Sequence, residues 1–121
     1  MVTPTNKFSF NTSSFKEVVA HDGIGTIRTA RVARKGRYRG FNFLDLTEIP
    51  PGNSIGRHTH GRCDEEIYVV ISGCGKMIAD GEEFLVGAGD VIVNPAGGTH
   101  GLENTGNESL RIAVLDVPVN C

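Results

Sequence analysis

Apolar and polar residues alternate along most of this chain, in short runs cut by glycine, proline and an Asp-Gly pair. Thr26 to Ala33, TIRTARVA, alternates loosely, as an edge or exposed strand does. FNFLDLTEI, 41–49, alternates strongly, with Phe41, Phe43 and Asp45 on one face and Asn42, Leu44 and Leu46 on the other. The pattern alone leaves open which face is inside. Pro50-Pro51-Gly52 turns the chain, because proline removes ladder donors. EIYVVIS, 66–72, has the length and continuity of a buried strand, and Gly73 ends it. GKMIA and EEFLV flank Asp80-Gly81, a dipeptide that tolerates the positive φ angles of a tight hairpin. DVIVN and SLRIAVLDV, 109–117, complete a set of about eight or nine strands.

One helical signal interrupts this pattern. Ser14 and Glu17 have the spacing of a capping box and predict one or two helical turns through Ala20, ended by Asp22-Gly23. No predicted helix is long enough to cover a sheet, so the sheets must cover each other. The fold class is all-β, a small antiparallel jelly-roll barrel with a short N-terminal arm and at most one short helix. The expected division is an arm over residues 1–25 and a barrel over 26–121.

Composition narrows the picture. A chain of 121 residues suits one domain, and 39% hydrophobic with 21% charged content is that of a folded one. A formal net charge of −2 gives no general attraction for nucleic acid. No apolar run reaches the ~20 residues of a membrane span, and the first residues lack the basic start and apolar core of a secretory signal. Cys63, Cys74 and Cys121 are odd in number and show no CxxC spacing, so they read as thiols in a reducing cytoplasm. Arg28, Arg31, Arg34, Lys35, Arg37 and Arg39 form a basic cluster. It is either a site for an anion or, as the sequence favours, a hairpin with charged edges that resist sheet-to-sheet pairing.

The chemistry concentrates in two glycine-framed blocks. GNSIGRHTHGRCDEEIYVVISG, Gly52 to Gly73, carries His58 and His60, whose i, i+2 spacing aims both imidazoles to one side of a strand. Glu65 and Glu66 follow, and only one of two adjacent strand residues can face that side. GDVIVNPAGGTHGLEN, Gly89 to Asn104, supplies His100. Three imidazoles and a carboxylate suit zinc, iron, manganese or nickel, and fewer than six protein ligands leave positions open for a small molecule. Tyr68 lies two residues after Glu66 and should face the same space, as a proton donor or acceptor or as a barrel-filling ring. Asn104 reads as a structural hydrogen-bonding residue, Cys63 as a loop thiol and His21, outside both blocks, as a surface residue.

Both blocks match, in order, the two motifs of a known family, and the chain resembles a small single-domain cupin. The first motif is met by Gly52, His58, His60, Glu66 and Gly73, the second by Gly89, Pro95, Gly97, His100 and Asn104. Five residues separate His60 from Glu66, more than the motif usually allows. Glu66 rather than Glu65 keeps the six-residue step to Gly73. The resemblance implies one divalent transition metal on His58, His60, Glu66 and His100. It also implies a metal-dependent, non-redox isomerisation, elimination or rearrangement of a small oxygenated metabolite, with Tyr68 as the candidate catalytic side chain. The same ligands would serve a dioxygenase or a binding protein without turnover. The expected partners are a small-molecule substrate and a second copy of the chain, a homodimer that buries Phe8, Phe10 and Phe15 of the arm; neither nucleic acid nor membrane is expected.

Overall fold

Ten strands form among the residues described, 6–36 and 40–121, in a computed structural model of the chain. They are β1 (Lys16–Val18), β2 (Ile27–Arg34), β3 (Phe43–Ile49), β4 (Ser54–Thr59) and β5 (Asp64–Ser72), followed by β6 (Cys74–Ala79), β7 (Glu82–Gly87), β8 (Val91–Asn94), β9 (Thr99–Asn104) and β10 (Leu110–Pro118). One sheet has the order β1-β2-β3-β10-β5-β8, and the other the order β4-β9-β6-β7. Every pairing is antiparallel. β6 and β7 are the hairpin that Asp80-Gly81 predicts.

The inner faces of the two sheets make one core. Ile49, Met77, Leu110 and Ile112 are fully buried there, with Val70 and Leu102 beside them. Along β3 the inward residues are Phe43, Asp45, Thr47 and Ile49, which settles the face that the alternation left open. Leu44 and Leu46 take the outer face, with Leu46 buried and Glu48 held between Arg28 and Arg111. The arm lies over this outer face. Phe10 and Phe15 stack with centroids 6.1 Å apart, Arg28 sits 4.8 Å over Phe15, and Arg111 sits 5.3 Å over Phe10.

Two expectations are corrected. Lys16–Val18 is a strand, not a helix, and no helix forms among the described residues. A helix of one or two turns cannot offset its own nucleation, whereas the free edge of β2 offers this segment a ladder at once. Cys63 and Cys121 are joined by a disulfide rather than held as free thiols. β10 runs antiparallel to β5 so that Pro118 lies opposite Asp64, and Val119 donates its N–H to the Cys63 carbonyl at 3.0 Å. That register brings the last residue beside Cys63, a proximity that spacing in the sequence does not display. The pairing withdraws the cysteine argument for a reducing compartment, while Cys74 stays an exposed free thiol. The basic cluster is partly neutralised: Arg28 pairs with Glu48 at 3.1 Å and Arg31 with Asp45 at 2.9 Å. Arg37 and Arg39 lie outside the described residues. Among the described residues no helix is long and apolar enough to cross a membrane.

Candidate metal centre

Both sheets contribute to one cluster. β4 presents His58 inward and leads into His60, which the Gly98 carbonyl holds through its backbone N–H at 3.0 Å. His100 on β9 is the direct cross-strand partner of His58. Glu66 comes from β5 in the opposite sheet, while Glu65 faces the other way. A ligand atom from each of His58, His60, Glu66 and His100 lies within 4.8 Å of every other. The register of β4 against β9 shifts between Ile55 and His58, across Gly56 and Arg57, and a bulge of this kind re-aims the side chains that follow it.

The local geometry fits a cation. His58 Nδ1 donates to the Gly56 carbonyl at 2.8 Å, so its Nε2 carries a lone pair into the cluster. His60 turns Nδ1 toward Asp64 Oδ2 at 3.5 Å and its Nε2 toward His58 Nε2, 3.0 Å away. Glu66 Oε1 is 3.3 Å from Nε2 of both His60 and His100. Metal–nitrogen bonds of about 2.1 Å in tetrahedral or octahedral geometry set neighbouring ligand atoms roughly 3.0–3.4 Å apart, the range of the three separations just given. The fixed tautomer of His58 is the outer-shell support that metal-bound histidines generally have.

Electrostatics point the same way. Burial lowers the His58 pKa to about 4, against a raising contribution from its bond to Gly56, and the neighbouring imidazoles lower it further. At neutral pH the ring is therefore uncharged and able to ligate. Burial alone would raise the Glu66 carboxyl; the bond from His100 and the three imidazoles outweigh it, and the pKa is lowered. Tyr68 is buried at 2% exposure and edge-on to His100, with centroids 5.5 Å apart. Burial first, and then the nearby Glu66 carboxylate, raise the phenol well above its ordinary value. Behind His60, Asp64 and Asp116 form a carboxyl pair. Burial and the bond to Asp64 push Asp116 up to about 6, opposed by the amide of Asn42, which donates to it at 2.8 Å.

A cavity of about 200 Å³ opens beside the cluster, its wall including His21, Arg31, Phe43, Glu66 and Tyr68. Sequence reading missed three features of this site. His21, read as a surface residue, is solvent-exposed but also lines the cavity and stacks face to face on His58, with centroids 3.5 Å apart. Arg31, read as part of a charged edge, lies on the cavity wall, bound to Asp45 and 3.8 Å above the Phe43 ring. Asn94 is buried opposite Glu66 on β8, its amide without a partner among the described residues. Strand alternation from Ile92 could have placed Asn94; nothing in the sequence places His21. Asn104 is the structural residue it was read to be, donating to the carbonyls of Ile49 and Glu108.

Comparison with known proteins agrees with this fold. Residues 45–118 match the model of the cupin domain. A Thermotoga maritima protein named as an oxalate-binding protein is 40% identical over 94 residues, which cover 77% of each chain. A crystal structure from Thermotoga maritima, described as a "predicted oxalate decarboxylase", superposes with a TM-score of 0.86 at 26% identity, covering 98% of this chain and 100% of that one. KdgF from a Halomonas species shares the fold, with a TM-score of 0.72 at 22% identity and 93% of each chain covered.

Proposed function

The chain belongs to the cupin family, and from that premise we propose that it binds a small carboxylate on a divalent transition metal and acts on it without redox change. His58, His60, Glu66 and His100 would hold the metal. When bound, the metal supplies Lewis acidity to an oxygen of the ligand. The observation that carries this reading is the pair of imidazole Nε2 atoms 3.0 Å apart, one in a fixed tautomer, beside a carboxylate oxygen. The cavity, at about 200 Å³, limits the ligand to a small molecule. Phe43 and Ile27 make part of its wall apolar, and the Arg31–Asp45 pair makes part of it polar. Burial raises the Tyr68 phenol well above its ordinary value, which suits it to the part of a donor rather than a base. Oxalate, the ligand in the name of the 40% identical relative, is the first compound to try.

A second reading, binding without turnover, is favoured by that same name. One set of measurements separates the two. Purified protein is expected to carry a divalent metal by elemental analysis and to bind oxalate in calorimetry, with binding lost after chelation. His58→Ala and His100→Ala should each lose most of the metal and remain folded by circular dichroism. Full metal occupancy in both variants would overturn the site. Products formed from oxalate or a related small acid without oxygen uptake support an enzyme; recovery of every bound acid unchanged supports a binder. Oxygen uptake that depends on the acid would overturn the non-redox reading in favour of a dioxygenase.

A further inference from the structure

We infer that His21 is a ligand-binding residue of the cavity, donating a hydrogen bond to the small acid held beside the metal centre. The inference rests on the function proposed above and adds a residue outside both sequence motifs. His21 belongs to no strand, yet its position is closely fixed. The Ala20 carbonyl accepts from the N–H groups of both Gly23 and Gly56 at 2.9 Å, and the Ile24 carbonyl accepts from Ser54 N–H at the same distance. Ser54 Oγ in turn accepts from Ile24 N–H at 2.8 Å. Two of the contacts need glycine: a Cβ on Gly56 would run into the His21 carbonyl, and one on Gly23 into the Ser54 carbonyl.

This docking holds His21 at φ 51° and Asp22 at φ 57°, the left-handed region that non-glycine residues seldom adopt. Two consecutive residues of this kind cost free energy, and such strain gathers where a side chain must be aimed. Here it aims the imidazole of His21. The ring lies flat on His58, with 9° between their planes, so the contact uses its face and leaves both nitrogens at the rim. The ring also forms part of the cavity wall.

The hydrogen bonds of the wall leave this ring open to a ligand. Among the described polar side chains of the wall, Thr29 and Thr47 bond to each other, and Arg31 and Asp45 form a two-bond pair. His58 is bonded to Gly56 and Glu66 to His100, and the phenol of Tyr68 is buried beside the Glu66 carboxylate. His21, unlike His58, makes no hydrogen bond within the described residues, and its N–H is free to meet an acceptor brought in by a ligand. A carboxylate oxygen is such an acceptor.

Two variants test this against a purely supporting role. His21→Phe keeps a flat ring on His58 and removes the donor. His21→Asn suits the left-handed backbone and shortens the side chain beyond reach. Metal-loaded parent and variants are titrated with oxalate by calorimetry, and metal content is measured separately. Both variants are expected to keep the parent's metal content and to bind oxalate about 10–100-fold more weakly, the scale of a lost hydrogen bond to a charged group. Parent-like oxalate affinity in His21→Phe would overturn the inference. So would loss of metal together with oxalate in both variants, which would make His21 a support for His58 only. If the metal-loaded parent itself binds no oxalate, the proposed ligand class fails, and the inference with it; parent binding with unchanged variants defeats the inference alone.

Discussion

Tyr68 tests how far a single residue's chemistry follows from its position. Its place two residues after Glu66 sets both on one face of β5, and the structure puts both on the cavity wall, with the Tyr68 ring edge-on to His100. Tyr68→Phe keeps the ring edge-on to His100 and removes the donor. Metal affinity should fall by about 10-fold, the lower end of the range for losing an outer-shell partner of a ligand. If the phenol is also the proton donor, turnover at saturating metal should remain about 10²–10⁴-fold below the parent. Steady-state rates measured across a metal titration check this; full recovery of rate at high metal would confine Tyr68 to holding Glu66. At this scale alternation made the site legible where the residues share a strand. Glu65 and Glu66 separate cleanly, because adjacent strand residues face opposite ways. His21 was not legible, because its contact with His58 depends on a turn docking against a distant strand through Gly23 and Gly56.

At the scale of elements, the strands could be read and the one predicted helix could not. Capping-box spacing is a weak signal without an apolar stripe behind it. Val18 and Val19, β-branched and stiff at χ1, suit an extended edge better. The disulfide was hidden for a related reason, since Cys63 and Cys121 are 58 residues apart and meet only through the register of β5 against β10. The bond ties the chain's last residue to the Gly61–Asp64 segment that joins His60 to Glu66. Closing a loop of this length restricts the unfolded chain and is expected to stabilise the fold by about 2–4 kcal/mol. Reduction, or the paired change Cys63→Ser with Cys121→Ser, should therefore lower the melting temperature by on the order of 10 °C. Thermal melts of the metal-free protein with and without a thiol reductant provide the check. Coincident melts would show that the link adds nothing to stability.

For the whole molecule, two stacked sheets were legible because every strong apolar run has strand length and no helix is available to cover a sheet. Sheet order and the faces of β3 were not, because both depend on which distant strands pair. The same limit bears on self-association. The arm's aromatics were expected to need a partner's surface, but Phe10 and Phe15 stack on each other under Arg111 and Arg28 of their own chain. An exposed apolar patch lies at the other end of the six-stranded sheet. There β8 is an edge strand whose outward Val91 and Val93 are 60% and 55% exposed, beside Ile71 of β5 at 49%. Cross-strand pairing sets Val93 opposite Ile67 and Val91 opposite Val69, which makes the patch continuous over both strands. An uncharged edge of this kind invites pairing, and a two-fold axis would let one such face cover its copy. We propose that a homodimer forms through this face. Light scattering at tens of micromolar should then give the mass of two chains for the parent. Val91→Lys with Val93→Lys should give the mass of one, because each copy would bring two charges into an apolar contact. Neither position lines the cavity, so metal content should be unchanged in the variant. A parent that scatters as a single chain, or a variant that stays paired, would place the interface elsewhere or remove it.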